Sequence, residues 1–280
     1  GTKNHNSTFT FKKSNFFFDD IIVCLGSGIT NAGAGSNETV TTLFQRMDNK
    51  GTGVNVNGSM QSSGTNTYPS VSANNYLVDN YGTGFYLVSG NDNIVVKKEA
   101  QQTPNQNQTW SSGLTLTAPT NPIVNYYTGY INHGANPTNK GYEYVLKPNS
   151  NTSEMQALDM AIQSTNKPYA VRQKNTTAHI VEHIAKKMWG YAFFAAASNL
   201  TYDFVNAANG SCLLMTQFDS SNGSLLLAID NPDLGFNSQA NTPSIQVTRQ
   251  ITLLGEWALS TTYPGVQVLS SNSTTTVIEF

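Results

Sequence analysis

Apolar and aromatic residues along this chain fall in short runs, often at alternate positions, and each run is closed by a cluster of Gly, Asn, Pro or Ser. A period of two places successive side chains on opposite faces of an extended backbone, so the runs read as strands and the clusters as turns. In the first half the runs are 9–13, 16–25, 39–46, 84–88, 94–98, 124–133 and 142–147. The apolar stretches at 16–18 and 21–25 are nearly continuous, which predicts a long strand or strand pair buried on both faces. Between the strands, 49–74 and 99–121 read as long polar loops.

One segment carries helical spacing. Met155, Leu158 and Ile162 recur three and four residues apart behind Asn151-Thr152-Ser153-Glu154, a capping sequence. This helix is expected to close a first domain over 1–166. After Pro168 the strand pattern resumes at 169–172, 179–184, 191–197, 201–205, 212–218, 225–230, 245–251 and 274–280, which predicts a second, smaller sandwich over 167–280. The fold class is therefore all-β, and no repeat of fixed period is present.

Only 11% of the 280 residues are charged, against about 25% in ordinary soluble domains. Asn, Ser, Thr and Gly carry the polarity instead, as expected of exposed strand faces and turns in a secreted protein. A formal net charge of −2 without blocks of one sign offers no grip on a phosphate backbone or an anionic bilayer, so neither nucleic acid nor membrane is expected as a partner. The longest weakly polar stretch, 188–197, falls far short of the roughly 20 residues that span a bilayer. Residues 1–10 carry no initiating Met and no leader pattern, so the chain is expected to start downstream of a translation start.

Cys24 and Cys212 each sit in an apolar run without metal-ligand spacing, and read as small buried hydrophobes rather than a bridge. Sequons stand at Asn6, Asn37, Asn57, Asn107, Asn151, Asn175, Asn199, Asn209, Asn222 and Asn272, while Pro137 spoils Asn136. Asn57, Asn107, Asn209 and Asn222 are taken as the candidates for N-glycosylation. A chain this rich in Asn, Ser and Thr also produces such triplets by chance.

His179-Ile180-Val181-Glu182-His183 has the H-x-x-E-H order of a zinc peptidase, which requires a helix to bring both rings to one metal. Its surroundings read as a strand, where residues four apart lie about 13 Å apart, so no metal ligands are assigned. Asp48-Asn49-Lys50-Gly51 and Asn91-Asp92-Asn93 read as turns, although their oxygens are compatible with a structural calcium ion; no cofactor is required. Gly26-Ser27-Gly28, followed by Gly33 and Gly35, reads as a glycine-rich hairpin turn rather than a phosphate cradle. Trp110, Trp189 and Trp257, with the Tyr126-Tyr127 and Tyr142/Tyr144 pairs, could stack on sugar rings, but aromatics at alternate strand positions are more often core. Trp110 lies in a polar stretch and is the substrate-binding candidate.

The stretch Lys13-Ser14-Asn15-Phe16-Phe17-Phe18-Asp19-Asp20 through Leu25-Gly26-Ser27-Gly28-Ile29, followed by Thr41-Thr42-Leu43-Phe44-Gln45-Arg46, resembles polysaccharide lyase family 8, which includes chondroitin, hyaluronan, xanthan and alginate-active lyases. Tyr130-Ile131-Asn132-His133-Gly134 through Tyr142-Glu143-Tyr144 to Pro148-Asn149 resembles a second segment of that family, and Ala170-Val171-Arg172 with Ala228-Ile229-Asp230-Asn231-Pro232 a third. Asn15 stands where the family usually has Trp, and Leu43-Phe44-Gln45 where an acidic segment is more common.

The resemblance implies the C-terminal part of a large antiparallel super-sandwich, followed by a smaller C-terminal β-sandwich. It implies β-elimination at a uronic acid, in which a side chain takes the C5 proton, the carboxylate is neutralised and the glycosidic oxygen leaves protonated. In this family a helical α/α toroid upstream of the sandwich carries the catalytic Asn, His, Tyr and Arg. None of that motif is in this sequence, so no catalytic residue is assigned. The implied partners are an acidic polysaccharide and the upstream toroid of the same enzyme. The alternative class is a non-catalytic, carbohydrate-binding β-sandwich protein.

Overall fold

A computed structural model describes residues 9–33, 35–61, 63–102, 122–232 and 247–280, together with the backbone of 105–109 and 113–117. Along the chain run β1 (Phe9–Phe18), β2 (Ile21–Asn31), β3 (Glu38–Met47), β4 (Val54–Val56), β5 (Ser59–Gln61), β6 (Gly64–Tyr68), β7 (Asn75–Val78), β8 (Gly84–Leu87), β9 (Ile94–Gln101), β10 (Asn105–Thr109) and β11 (Gly113–Thr117). Then follow β12 (Val124–Ala135), β13 (Lys140–Lys147), the helix α1 (Thr152–Gln163), β14 (Tyr169–Lys174), β15 (Ala178–His183) and β16 (Met188–Phe193). The last strands are β17 (Val205–Ala208), β18 (Cys212–Asp219), β19 (Ser224–Asp230), β20 (Gln250–Leu254), β21 (Gln267–Ser271) and β22 (Thr275–Glu279). The chain is all-β, with one short helix among the described residues.

The strands form a seven-stranded sheet β1-β2-β13-β8-β7-β4-β5, a four-stranded sheet β3-β12-β9-β6, a hairpin β10-β11, a five-stranded sheet β14-β15-β16-β18-β19 and a four-stranded sheet β17-β20-β22-β21. Two compact units result. One comprises Asp19–Cys24 and Ile29–Ala161 with the start of β1; the other comprises Phe11–Phe18, Leu25–Gly28 and Ile162–Phe280. The sequence reading assigned the whole of 1–166 to one domain, whereas compactness counts most of β1 and the middle of β2 with the second unit.

In the first unit the seven- and four-stranded sheets face each other across a core that includes Cys24, Leu77, Phe85, Phe44, Val96 and Ile131. Phe44 meets Phe85 with ring centroids 5.3 Å apart. Gly129 lies against the Phe44 ring, since a Cβ there would stand 2.4 Å from it. The capping sequence forms a reciprocal box at the start of α1: Asn151 Oδ1 accepts from Glu154 N at 3.0 Å, and Glu154 Oε2 accepts from Asn151 N at 3.1 Å. One turn on, Met155 is fully buried over Gly84 in β8, and Asp159 accepts the Tyr86 hydroxyl at 2.9 Å.

The second unit is a sandwich of the five- and four-stranded sheets around residues such as Ile180, Tyr191, Leu214, Val205, Ile251 and Ile278. Gly190 is required there, because a Cβ would meet the buried Phe16 ring at 2.4 Å.

Three expectations change on contact with the fold. The run 16–25 is a strand pair turning at Asp19 (φ 45°), but Phe17 is exposed while Phe16 and Phe18 are buried, so β1 alternates instead of burying both faces. Gly26-Ser27-Gly28 lies inside β2, not at a hairpin turn; Gly28 takes a positive φ (62°) within the strand, and a Cβ there would stand 2.6 Å from Thr176 Cγ2. The stretches read as polar loops carry β4, β5 and β6, and the end of β9 with β10 and β11. β5 and β6 close their sheets at an edge and bury no side chain, so no buried apolar alternation marks them.

Candidate functional site

The turns at one end of the first unit gather its polar side chains. Arg46, near the end of β3, donates from Nε to Asp79 Oδ2 at 3.1 Å. Asp79 opens the turn between β7 and β8; its carboxylate is fully buried, and Oδ1 accepts from the backbone N–H groups of Tyr81 and Thr83, both at 2.9 Å. The Tyr81 hydroxyl donates to Asn49 Oδ1 at 2.7 Å. Its ring lies 5.4 Å from Arg46 Cζ and 5.0 Å from Lys50 Nζ. Beside them Asp48 pairs with Lys98 at 2.6 Å, and Asn80 Nδ2 donates to the Met47 carbonyl at 2.8 Å. This rim is cationic, aromatic and accessible, a combination suited to holding an oxyanion.

A second polar cluster links four segments of the same unit. His133 in β12 gives Nδ1 to Asp92 Oδ2 at 2.9 Å, its Nε2 bonds the Thr41 hydroxyl at 2.8 Å, and Lys140 reaches Asp92 Oδ1 at 2.6 Å. Burial works to raise the Asp92 pKa, but the bonds from Lys140 and His133 outweigh it and hold the carboxyl below its ordinary value. A hydroxyl, an imidazole and a carboxylate in this order resemble a nucleophile with its base, yet the His133 side chain is wholly buried and Asp92 is already neutralised by Lys140. The cluster ties strands together. Asp48 and Asp92, weighed as calcium ligands, each meet a lysine, and among the described residues no three His, Cys, Asp or Glu side chains converge on a metal position.

In the second unit His179 and His183 stand in strand β15, as the motif's surroundings predicted. His179 is fully buried with Nδ1 2.7 Å from Ser14 Oγ and Nε2 2.8 Å from Ser27 Oγ, while His183 Nδ1 accepts from Lys186 N and its ring lies near Phe18. Burial foremost, and then the Lys174 charge, push the His179 pKa down to about 4. Cys24 and Cys212 are both buried and are not bridged to each other, and burial pushes the Cys212 thiol up to about 11. The phenols of Tyr86, Tyr142, Tyr144 and Tyr191 are likewise held well above the ordinary tyrosine value by burial, which leaves them protonated and unsuited to take a proton from a sugar carbon.

The expected substrate-binding Trp110 lies outside the described residues, as does the Asn107 side chain. Trp189 and Trp257 are packing residues: Trp189 stacks near Tyr191 and Tyr202, and Trp257 meets Phe204 edge-on at 5.3 Å with its Nε1 donating to the Leu254 carbonyl. A cavity of about 450 Å³ beside Trp257 is walled by Leu225, Leu227, Leu253, Val266 and Val268, a lining with too few donors for a polyhydroxylated sugar. Asn57, Asn209 and Asn222 are exposed. The Asn57 amide is engaged on both sides, donating to Asn75 Oδ1 and accepting from Tyr76 N; Asn209 and Asn222 each accept one backbone N–H. The sequence reading missed Arg46, Asp79 and Tyr81 as a group, because nothing local links a strand end to a turn 33 residues away.

Antiparallel sheets packed as sandwiches, without an assembled catalytic centre among the described residues, define a β-sandwich scaffold. The chain belongs to polysaccharide lyase family 8: the family's super-sandwich domain matches residues 1–159. It is 28% identical to the chondroitin sulfate ABC exolyase of Proteus vulgaris over 303 residues, covering 95% of this chain and 28% of that protein. With the xanthan lyase of Bacillus sp. (strain GL1) it shares 32% identity over 182 residues, 58% of this chain and 18% of the relative. Among solved structures, a Paenibacillus xanthan lyase superposes with a TM-score of 0.71 at 23% identity, covering 96% of this chain and 24% of that one. A chondroitinase AC lyase superposes with 0.64 at 21% identity, over 89% and 33%. These two likenesses show the fold, and the chain spans under a third of the length of the curated relatives it matches.

Proposed function

We propose that this chain is the C-terminal β portion of a secreted lyase that cleaves a uronic-acid-containing polysaccharide, of chondroitin, hyaluronan or alginate type, by β-elimination. The family match over residues 1–159 carries this reading. In it the proton-transferring groups belong to a helical toroid outside this chain, and the sandwich supplies framework and contacts to the polymer. The protonated, buried phenols and the enclosed His133 fit such a division, since neither can act on a substrate carbon. The named relatives act on chondroitin sulfate and xanthan, which supports an acidic polymer as substrate.

The test is ultraviolet absorbance of unsaturated uronate products when the full polypeptide meets chondroitin sulfate, hyaluronan, alginate and xanthan in turn. Cleavage of at least one is expected, and none by residues 1–280 alone. Failure of the full polypeptide on every polymer would refute the lyase reading and leave a non-catalytic carbohydrate-binding sandwich.

A further inference from the structure

We propose that Arg46, Lys50 and Tyr81 form a subsite for one anionic group, a carboxylate or a sulfate, of the bound polysaccharide. This rests on the lyase reading and names the place on this chain where the polymer's charge is met.

The charge balance of the rim leads there. Lys98 is neutralised by Asp48 at 2.6 Å and Lys97 by Glu99 at 3.0 Å. Arg46 and Lys50 share one aromatic ring and, between them, a single carboxylate, Asp79. Among the described residues Lys50 has no acidic partner, so the pair keeps one uncompensated positive charge. The π face of Tyr81 is a weak substitute for an anion, and an incoming oxyanion completes the balance.

The geometry is also built in advance. Asp79 is fully buried and fixed by two backbone N–H groups, and it takes only Nε of Arg46. Among the described residues the two terminal amino groups of the guanidinium have no hydrogen-bond partner, on a side chain that is 43% exposed, and these are the donors that grip a carboxylate or sulfate in pairs. Tyr81 is also 43% exposed and is held in place by its bond to Asn49. Two further observations mark the same turns: Asn80 Oδ1 and Ser150 Oγ, both in residues only 6% exposed, are two of the three buried side-chain atoms lacking a hydrogen-bond partner among the described residues. Buried polar atoms are rarely left so, and both adjoin this rim: Asn80 precedes Tyr81 and bonds the Met47 carbonyl next to Arg46, and Ser150 N bonds the Gly82 carbonyl of the Tyr81 turn.

The experiment is calorimetric titration of the full polypeptide with a chondroitin sulfate hexasaccharide, which carries both groups, and a hyaluronan hexasaccharide, which carries carboxylates alone. Lys50→Gln is the primary variant, because it leaves the buried Asp79 paired and the fold intact; Arg46→Gln is the second, checked for folding by circular dichroism. Each is expected to weaken binding roughly three- to tenfold, with the difference vanishing in molar salt. Lys187→Gln, on an exposed turn of the other unit, should bind as the parent does. Weakening for both oligosaccharides assigns the subsite to a carboxylate, and weakening for the sulfated one alone assigns it to a sulfate. Parental affinity in both variants overturns the subsite, and if products still form from the polymers, the lyase reading survives. If no polymer is cleaved and neither oligosaccharide binds, both fall.

Discussion

The His179 ring bonds two serine hydroxyls, and the residue is enclosed completely. The folded chain keeps its ring neutral down to about pH 4, whereas an unfolded histidine takes up its proton near 6.5, so across that interval the unfolded state binds more protons. The stabilisation is therefore complete above pH 6.5 and is withdrawn as the pH falls toward 4, by up to about 3 kcal/mol. Urea unfolding at neutral pH and near pH 4.5 should show this loss. His179→Asn is expected to be less stable than the parent at neutral pH but to lose less on acidification; an equal loss in both proteins would assign the acid sensitivity to other groups. The motif that draws attention to this histidine in the sequence, H-x-x-E-H, is unrelated to what the residue does. Its partners stand 165 and 152 residues away, at Ser14 and Ser27, beyond the reach of any local pattern.

At the scale of elements, α1 is the part most fully written in the sequence. Its cap and its first buried residue are contiguous, and Asn151 and Glu154 satisfy each other's backbone N–H as the spacing predicts. Asn151→Ala removes both the side-chain acceptor and half of this box, and should cost about 1 kcal/mol in urea unfolding. Glu154→Gln, which keeps an acceptor, should cost less; no difference between Asn151→Ala and the parent would mean that packing of Met155 alone holds the helix. The strands are legible to different degrees. β12 and β13 carry alternating burial and were predicted, whereas β5 and β6 have no buried residue to betray them. An edge strand needs only backbone partners, and any polar sequence can supply those.

For the whole molecule, the two compact units do not divide the chain at one point. Residues 11–18 and 25–28 count with the second unit, so a break at 166/167 would separate Ser14 and Ser27 from His179, and Phe16 from Gly190. A fragment of residues 1–166 is accordingly expected to be insoluble or poorly folded, while residues 1–280 give a dispersed amide spectrum. A soluble, cooperatively unfolding 1–166 would show that the β1–β2 ribbon is stable without those contacts. Burial of each such Phe contributes about 1.5–3 kcal/mol, comparable to a large share of a domain's net stability.

The sequence by itself determined the all-β class, the helix α1, the buried cysteines and the family, because all of these rest on local periodicity, local capping or contiguous motifs. Tertiary structure alone decided what the motif residues do. Thr41 and His133 resemble family signature residues in the chain and prove to be one hydrogen-bonded tie between strands. Arg46 reaches Asp79, and both meet Tyr81, only because the four-stranded sheet delivers one strand end to a turn of the seven-stranded sheet. A period of two tells a residue which face it occupies, but the register of its strand and the sheet packed against that face are set by non-local pairing, and these choose its neighbours.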